Sequence, residues 1–402
     1  MYDLIVVGGG PSGLAAGIYG ARAKLKVAIL EKVVTGGQAY TTREIVNYPG
    51  FKNTTGPELS KIMAEHAKDF GAEIIKEEVV EVQLGGETKV IKTKKGNLYE
   101  AGAIILAVGS QPRLLNVPRE RELRGSGVSY CATCDAEFYE GLHVIVVGNG
   151  DAALEEAVYI TKFASRVTVI VIHDEGIVDC NRVGAEKAFS NSKIEFVWNS
   201  VLDEIRGQDE VESVVIKNLK TGDLTVLESQ GVFIYVGTVP ETGFLQGKID
   251  LDDRGYIITN EMMETSVPGV YVAGDARVKY LRQVVTSVSD GAIAAVAAER
   301  YLDEERDFRE TILNSDVPVL LAFWSPATEQ SIAYIAMLQK VVADIGNKCR
   351  LVKVDISRKK MTAQKYGVLK APAALLLING KVVKDLFGVL EGSAIKSQLQ
   401  SI

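Results

Sequence analysis

Two cysteines three positions apart are the residues of this sequence best suited to redox chemistry. Cys131 and Cys134 form a Cys-Ala-Thr-Cys motif, and Asp135 follows directly. Two intervening residues allow both sulfurs to come within bridging distance in a turn or at a helix start, and a helix N-terminus lowers the pKa of a thiol. The carboxyl of Asp135 is placed to exchange a proton with a thiolate. The motif therefore predicts a redox dithiol with a neighbouring acid.

The other two cysteines, Cys180 and Cys349, stand alone in the sequence. A structural zinc site would need a second closely spaced pair, and the histidines are too far apart in sequence to indicate a metal cluster. Four cysteines in 402 residues are also too few for a disulfide framework. We therefore expect no metal site, and we expect Cys180 and Cys349 to be structural or surface thiols.

A glycine-rich loop near the N-terminus has the context of a dinucleotide cradle. Gly8, Gly10 and Gly13 lie between a predicted strand and a predicted helix at 14–24, and Glu31 ends the next strand. In such a loop the first glycine allows a tight turn, the second the approach of a pyrophosphate, and the third the packing of helix on strand. The phosphates then face the helix N-terminus, while the acid accepts the ribose hydroxyls.

The same pattern returns 140 residues further on, with Gly148 and Gly150 after a second buried strand. No arginine follows the next strand of this unit, and a 2′-phosphate normally requires a guanidinium there. Asp174 and Glu175 are instead candidates to bind a free 2′-hydroxyl, as in NAD. The alternative is that this unit keeps the fold of a nucleotide-binding domain but binds no nucleotide.

Composition and charge narrow the class of protein. With 47% apolar and 24% charged residues over 402 positions, the chain is globular and long enough for two or three domains. Its 45 Lys and Arg against 52 Asp and Glu give a net charge of −7, which argues against nucleic-acid binding. No apolar run approaches the length of a membrane span, and the first residues lack the basic start of a signal peptide. We predict a cytoplasmic protein with no membrane partner.

The last part of the sequence reads as a further small α/β domain. A charged stretch at 302–307 is predicted to be a linker, and about 90 residues follow it, the size of one small domain. Asn379-Gly380 between two apolar runs is a strong hairpin signal. The predicted elements are a strand at 317–323, a helix at 332–345, a strand at 351–354, and hairpin strands at 373–378 and 382–387.

Eight sequence pieces in a consistent order give residues 1–304 a family resemblance. They are GGGPSG at 8–13, GGQAYTT at 36–42, NYPG at 47–50, AVGSQPR at 107–113, CATCD at 131–135, GNGDAALEEA at 148–157, VYVAGDA at 270–276 and RQVVTS at 282–287. This part of the chain resembles the low-molecular-weight thioredoxin reductases, flavoproteins of the pyridine nucleotide–disulfide oxidoreductase class. Residues 317–402 resemble thioredoxin.

The resemblance implies an α/β fold with two Rossmann-like three-layer domains, the second inserted in the first, and a C-terminal thioredoxin-like domain. The expected domains are an FAD-binding domain at 1–112 and 242–304, an inserted nucleotide-binding-like domain with the CxxC at 113–241, and the thioredoxin-like domain at 312–402. A homodimer is also implied.

The resemblance further implies site residues. FAD is expected on Gly8, Gly10, Ser12, Gly13, Glu31, Gly37, Gln38, Asn47, Gly109, Gly274, Asp275, Arg282 and Gln283, and a second nucleotide on Gly148, Gly150, Asp174 and Glu175. Cys134 is expected to face the flavin, Cys131 to attack the partner disulfide, and Asp135 to donate a proton. One dithiol cannot face the flavin and a protein partner at once, so the insert is expected to rotate on its two connections.

The chain departs from this family in two places. The family's NADPH fingerprint should fall at 171–177, where His173 is the one weak cation, so NADH, an unrecognised NADPH mode and ferredoxin all stay open as electron donors. In the tail, the CxxC of thioredoxin is replaced by Thr328-Glu329-Gln330-Ser331. Ala322 stands where thioredoxin has a buried Asp, whereas Pro372 matches the cis-proline of the thioredoxin active site. Without sulfur, this domain cannot exchange electrons through a dithiol. The domain is expected to dock the substrate, to mediate dimerisation or to cover the nucleotide crevice. The alternative is a stable appendage that takes no part in catalysis.

The sequence therefore predicts an FAD-dependent reductase whose Cys131–Cys134 pair reduces thioredoxin or a related dithiol protein. Two other classes remain as alternatives. One is a flavin-dependent dithiol oxidase of small molecules, which passes electrons to oxygen. The other is a non-catalytic flavoprotein scaffold that binds a partner through its tail.

Overall fold

The structure is a computed structural model that describes residues 1–42, 45–346, 348–357, 359–388 and 391–400. The chain divides into two compact units, Met1–Ala298 and Glu299–Ile402. Within the described ranges, no helix has both the length and the apolar character needed to cross a membrane.

The first unit is built on parallel sheets with short antiparallel additions. Its strands are β1 (Tyr2–Val7), β2 (Val27–Glu31), β3 (Glu73–Lys76), β4 (Val79–Gln83), β5 (Lys89–Thr93), β6 (Leu98–Leu106), β7 (Ser110–Pro112), β8 (Val128–Ser129), β9 (His143–Val147), β10 (Arg166–Ile170), β11 (Ile194–Val197), β12 (Ser200–Arg206), β13 (Ser213–Asn218), β14 (Leu224–Glu228), β15 (Gly231–Ile234), β16 (Thr238–Pro240) and β17 (Val270–Val272).

The first unit also contains helices, the last of which continues past Ala298 into the second unit. They are α1 (Pro11–Arg22), α2 (Gly56–Asp69), α3 (Ala132–Asp135), α4 (Asp151–Ile160), α5 (Arg182–Phe189) and α6 (Val284–Phe308), with short 3₁₀ turns at Gly37–Thr41, Ala136–Tyr139 and Gly243–Leu245.

The first sheet has the order β3-β2-β1-β6-β5-β4, and β17 also pairs with β6. β1, β2, β3, β6 and β17 are parallel, whereas β4 and β5 form an antiparallel meander on β6. β1 lies between β2 and β6, and its residues Leu4, Ile5 and Val6 are fully buried. A continuous apolar run is what a parallel strand covered on both faces requires.

The second sheet, β11-β10-β9-β15-β8, is parallel throughout and lies between two other layers. In β9, Val144 and Val146 pack toward α4, while Ile145 and Val147 pack toward the antiparallel sheet β12-β13-β14. Because successive side chains of a strand point to opposite faces, one apolar strand can serve both layers. The predicted pair of Rossmann-like three-layer folds is confirmed.

The chain leaves the first sheet after β6, builds the second sheet, and returns to the first at β17. The two connections run side by side, because β7 and β16 form a two-stranded antiparallel ribbon. The domain limits predicted near 112 and 242 lie close to this ribbon, and they stay predictions.

The charged stretch at 302–307 is not a linker, and that prediction was wrong. α6 continues without interruption to Phe308, and a π-helical turn follows at Arg309–Leu313. The stretch contains Leu, Glu and Arg, which are strong helix formers, and no Gly or Pro to end the helix. The charged residues Asp303, Arg306 and Asp307 are exposed positions of a helix, not parts of an unstructured segment.

The second unit holds a four-stranded sheet in the order β19-β18-β20-β21. Its elements are β18 (Val319–Trp324), α7 (Glu329–Asp344), β19 (Arg350–Asp355), α8 (Lys360–Lys365), β20 (Ala373–Ile378), β21 (Lys381–Asp385) and α9 (Gly392–Gln400). β18 is parallel to β19 and antiparallel to β20. The predicted hairpin is present between β20 and β21, and Asn379 and Gly380 both have positive φ, 49° and 72°, as a type I′ turn requires.

Replacement of Gly291 by Ala should destabilise the first unit. A Cβ at Gly291 in α6 would lie 2.0 Å from the carbonyl oxygen of Ser12 at the start of α1. Alanine favours the helix by about 1 kcal/mol, but a clash with backbone costs about 1–3 kcal/mol. We expect a net loss, seen as a lower midpoint of thermal unfolding by circular dichroism. Gly85→Ala, where a Cβ meets nothing within 4 Å, is the control and should leave the midpoint unchanged.

Candidate active site

The N-terminal glycine loop has the geometry of a phosphate cradle. A Cβ at Gly8, whose φ is 105°, would lie 2.3 Å from the carbonyl oxygen of Ala107, and a Cβ at Gly13 would lie 1.9 Å from that of Gly8. Gly10 differs, because a Cβ there would meet only the Cα of Gly37 at 3.8 Å. Gly8 and Gly13 are therefore required by packing, whereas Gly10 leaves open space in front of the first amides of α1.

Glu31 is held beside this loop by backbone amides. Its Oε2 accepts a hydrogen bond from the Gly9 N–H at 2.7 Å, and its Oε1 accepts one from Val33 at 3.0 Å. Each carboxylate oxygen retains a further lone pair. The side chain is thereby oriented toward the cradle with acceptors still available for hydroxyl groups.

A single cavity of about 940 Å³ connects the cradle with the cysteine pair. Most of the predicted site residues line it, namely Gly8, Gly10, Ser12, Glu31, Gly37, Gln38, Gly109, Cys131, Cys134, Asp135, Asp275, Arg282 and Gln283. The other three predicted first-cradle residues support it. Gly13 packs against Gly8, a Cβ at Gly274 would lie 2.6 Å from the Ser12 Oγ, and Asn47 donates to the Gln283 Oε1 at 3.3 Å.

Cys131 and Cys134 form a disulfide at the start of a short helix. Their Cα atoms are 5.3 Å apart, Cys131 is the N-cap of α3, and Cys134 lies within the helix. The Cys131 carbonyl accepts from the amides of Cys134 and Asp135, both at 3.2 Å. The predicted helix-start geometry of the CxxC is therefore present. Both cysteines are half-buried.

Asp135 follows the disulfide directly in sequence and is half-buried. The Ser129 hydroxyl donates a hydrogen bond of 2.6 Å to its Oδ2. Burial raises the pKa of the Asp135 carboxyl above its ordinary value, and the Ser129 bond opposes this only in part. The carboxyl thus keeps its proton to a higher pH than a free aspartate, as a proton donor to a leaving thiolate requires.

Polar contacts join the CxxC and the nearby Arg124 to loops of the first cradle, and sequence reasoning missed them. The Gln283 Nε2 donates to the Thr133 Oγ1 at 3.0 Å, between the two cysteines, and lies 3.9 Å from the Cys131 Sγ. The Arg124 guanidinium donates to the Gln38 Oε1 at 2.9 Å. Gln283 and Gln38 were predicted as flavin residues, whereas nothing near Thr133 or Arg124 in sequence indicates a partner more than 80 residues away.

The comparisons with known proteins agree with this geometry. The family model for pyridine nucleotide-disulphide oxidoreductases matches residues 2–291, and the thioredoxin model matches residues 300–401. The thioredoxin reductase of Peptoclostridium acidaminophilum is 50% identical over 317 residues, which are 77% of this chain and 99% of that protein. The chain belongs to the thioredoxin reductases of this family.

Two further relatives extend the comparison. The bifunctional thioredoxin reductase/thioredoxin of Mycobacterium leprae is 33% identical over 445 residues and covers 100% of this chain and 97% of its own length. Among solved structures, thioredoxin reductase from Streptococcus pyogenes superposes with a TM-score of 0.71 at 43% identity, over 75% of this chain and 98% of that one. The predicted family, fold class and oxidoreductase class are thus confirmed, and so is the fused thioredoxin-like domain.

Thioredoxin reductases of this family imply FAD and a pyridine nucleotide, and the first cradle fits FAD. One long cavity is lined by Gly10 with its open space, by the acceptor oxygens of Glu31 and by the half-buried Asp275. Asp275 accepts a 3.1 Å hydrogen bond from the Ser287 hydroxyl. Ser287 is a further candidate that sequence reasoning missed, although it lies within the RQVVTS piece. The roles predicted for the individual flavin residues stay predictions.

The second cradle has the fold of a nucleotide site but an acidic lining. A Cβ at Gly148 would lie 2.4 Å from the Tyr235 carbonyl oxygen, while Gly150 is open as N-cap of α4. Asp151 follows at the first helical position, and its Oδ1 accepts from the Asn181 backbone and side-chain nitrogens at 2.6 and 2.8 Å. These bonds lower the pKa of Asp151, so a carboxylate stands at the helix N-terminus.

The loop after β10 adds further carboxylates to this cradle. The backbone of Asp179 forms an isolated parallel β-bridge with Gly150. The Asp179 Oδ2 accepts a hydrogen bond from the Asn149 side chain at 3.0 Å and lies 3.1 Å from the His173 Nε2. Asp174 forms an ion pair with Lys220 on the β13–β14 turn. Glu175 is exposed beside it. The predicted second-site residues thus lie on one edge of the sheet, but Asp174 already has a cation as partner.

The thioredoxin-like unit lacks redox sulfur at its former active site. Thr328 is the N-cap of α7, and Ser331 is completely buried with no hydrogen-bond partner for its hydroxyl. Ala322 is fully buried in β18, and the peptide bond before Pro372 is cis, as predicted. In the part of the chain that the structure describes, no group of His, Cys, Asp and Glu is arranged to hold a metal ion.

The two lone cysteines are not activated thiols. Cys349 is buried in the core of the second unit, and burial raises its pKa to about 11. Cys180 is half-buried near Asp151, and burial together with that carboxylate raises its pKa to about 11. Thiols with such pKa values react slowly because little thiolate is present near neutral pH.

Substitution of Asp135 by Asn should remove a pH-dependent loss of stability. Because the folded pKa is raised, the native chain binds more protons here than the unfolded chain, so stability falls as the pH rises from 3.8 through the raised value. Asparagine does not titrate and can still accept the bond from Ser129. Thermal unfolding should show Asp135→Asn gaining stability relative to the wild type as the pH rises above 3.8. Asp203→Asn, at an exposed site, is the control, and an equal pH slope in wild type and Asp135→Asn would contradict the assignment.

Proposed function

We propose that this chain is an FAD-dependent protein-disulfide reductase that passes electrons to the Cys131–Cys134 disulfide and on to thioredoxin or a related dithiol protein. The proposal is supported by one observation: Cys131 and Cys134 line the same cavity as the first cradle, which fits FAD. The names of the relatives support the choice of thioredoxin as partner. A disulfide exposed to solvent, away from the cradle, would have had no route to a bound flavin.

FAD bound in the first cradle would supply a two-electron carrier beside the disulfide. Reduction of Cys131–Cys134 breaks the S–S bond and consumes two electrons and two protons. We assign one of these protons to the carboxyl of Asp135, whose pKa burial raises. Asp135 then recovers a proton from solvent before the next turnover.

Exchange with the partner needs only the two sulfurs. A thiolate, which we assign to Cys131, attacks one sulfur of the partner disulfide and releases the other as a thiolate. Attack by Cys134 on the mixed disulfide then restores Cys131–Cys134 and frees the reduced partner. No further oxidant or reductant is consumed in this half of the reaction.

A rotation of the inserted sheet is part of the proposal. The half-buried cysteines line the cavity, and the neighbouring Thr133 and Arg124 are hydrogen-bonded to Gln283 and Gln38. We infer that a folded partner protein does not reach the two sulfurs in this arrangement. The β7–β16 ribbon carries both connections between the two sheets. Twisting of this ribbon, with release of these two hydrogen bonds, would expose the dithiol.

We propose that NADPH is not the preferred electron donor. Ile172 and Ile177 are half exposed where the family has arginines, and Asp174, Asp151 and Asp179 surround the cradle. The 2′-phosphate of NADPH would add negative charge beside these carboxylates without a guanidinium to offset it. NADH requires no 2′-phosphate site, and ferredoxin requires no nucleotide cradle, so these are the two remaining donors.

Anaerobic reduction of the holoprotein separates the donors. NADH, NADPH and reduced ferredoxin are added separately while the visible absorption of the flavin is followed. We expect NADPH to bleach the flavin at least tenfold more slowly than the best of the other two, the loss typical of one missing charged contact. Faster bleaching by NADPH would show that the acidic cradle does accept a 2′-phosphate.

Turnover of the dithiol tests the proposed function itself. Cys131→Ser and Cys134→Ser should each lower reduction of added thioredoxin by about 10³-fold or more, because either change removes the disulfide. Cys349→Ala, in the core of the other unit, should keep full activity. Without added thioredoxin the chain should not reduce insulin, since the tail carries no dithiol.

The alternatives give different results in the same assay. Rapid peroxide formation from a small dithiol, with no turnover of thioredoxin, would identify the oxidase. A partner function that survives Cys134→Ser would identify the scaffold. The homodimer and the cytoplasmic location are proposed on family likeness, and sedimentation and cell fractionation test them.

A further inference from the structure

The segment from Gly274 to Gln283 connects β17 with α6 and carries four of the predicted flavin residues. Asp275 and Arg282 line the large cavity, and Gln283 reaches the CxxC through Thr133. Apart from an isolated bridge at Arg277, the segment has no sheet or helix hydrogen bonds of its own. Backbone bonds with Ile257 hold Ala276 and Val278, and side-chain contacts supply most of the other hydrogen bonds of the segment.

Asp290 in α6 makes the central contact to this segment. The residue is 6% exposed. Its Oδ2 accepts from the Gly274 backbone N–H at 3.1 Å and from the Lys279 Nζ at 2.8 Å. The Arg277 Nη1 lies 3.5 Å from both of its oxygens. One buried carboxylate thus ties the segment at 274, 277 and 279.

The cations around Asp290 are buried as well. The side chains of Lys279 and Arg277 are 7% and 15% exposed. Two buried cations need a counter-charge, because an unpaired charge away from water is strongly unfavourable. Arg277 also donates to the Thr259 Oγ1 at 2.9 Å, which anchors the cluster to the preceding loop.

The contact at Gly274 links this cluster with the first cradle. Gly274 has a φ of 81°, and a Cβ there would lie 2.6 Å from the Ser12 Oγ. The turn is therefore confined between Ser12 on one side and Asp290 on the other. The Gly274 N–H donates to the Asp290 carboxylate. This hydrogen bond helps to set the orientation of the peptide that leads to Asp275.

Arg282 completes the segment from the other end. Its guanidinium donates to the carbonyls of Asp275, Lys279 and Arg277 at 3.3 to 3.4 Å, and it stacks on the Tyr256 ring at 4.3 Å. These bonds close the segment on itself. Its attachments to α6 are the neutral hydrogen bonds of Ser287 and Thr286 and the charged contacts of Asp290, which are the ones that reach Gly274, Arg277 and Lys279.

We propose that Asp290 is a positioning residue that holds the 274–283 segment so that Asp275 faces the flavin and Gln283 faces the CxxC. The inference rests on the proposed flavin site. It adds a residue that touches neither flavin nor disulfide and that acts on both through one segment. The exposed Asp303 on the same helix, ion-paired with Arg306, has no such contact.

FAD binding to the apoprotein tests this assignment. In Asp290→Asn the Gly274 bond loses its charged acceptor and two cations lose their partner, so the FAD dissociation constant should rise about 10- to 100-fold. The visible absorption bands of any flavin that binds should shift as well. Asp303→Asn is the matched control and should bind FAD as the wild type does.

A double variant keeps the test decisive if Asp290→Asn fails to fold. Asp290→Asn/Lys279→Gln removes one charge of each sign and both tethers, and its apoprotein should melt near the wild-type temperature while FAD binding stays weakened. Wild-type affinity and an unchanged flavin spectrum in a folded variant would overturn the assignment alone. No FAD binding by the wild-type apoprotein would overturn the proposed function and this inference together.

Discussion

The enclosure of a disulfide beside a dinucleotide cradle is the constraint on which the rest of this structure depends. The cradle belongs to one sheet and the CxxC to another, so the chain must leave the first sheet and return to it. The β7–β16 ribbon makes both crossings at one place. A few side-chain hydrogen bonds, Gln283 to Thr133 and Arg124 to Gln38, then join the loops of the two sheets. Contacts so few are compatible with release during turnover.

The duplicated fold serves two different electrostatic purposes. In the first cradle the open position at Gly10 leaves the helix N-terminus accessible to an anion. In the second cradle the carboxylates of Asp151 and Asp179 lie at the equivalent place. The backbone geometry is repeated while the charge is reversed, because a Rossmann-like unit is stabilised by its apolar strands and not by its loop residues. Loop residues can therefore change without loss of the fold.

The thioredoxin-like unit shows the same separation between fold and chemistry. Its sheet, its buried Ala322 and the cis peptide before Pro372 are intact, yet Thr328 and Ser331 stand where sulfur would be needed. The relative from Mycobacterium leprae is described as bifunctional, and it matches this chain along its whole length. Similarity over the full chain therefore does not carry the second activity with it, because that activity requires two particular side chains.

The sequence by itself determined the family, the two cradles, the CxxC with its acid, and the lack of a CxxC in the tail, since each is a local pattern with a known backbone requirement. The strands and helices that it predicted lie within a few residues of the observed ones. It misread 302–307, where charge was taken for a linker although Leu, Glu and Arg there favour helix and no Gly or Pro ends it. The tertiary structure alone placed Thr133, Arg124, Ser129, Ser287 and Asp290 at the site, because their partners are distant in sequence or on other elements. It also decided that Asp174 is paired with Lys220. Spacing along the chain encodes backbone geometry, whereas the pairing of buried charges depends on which elements pack together.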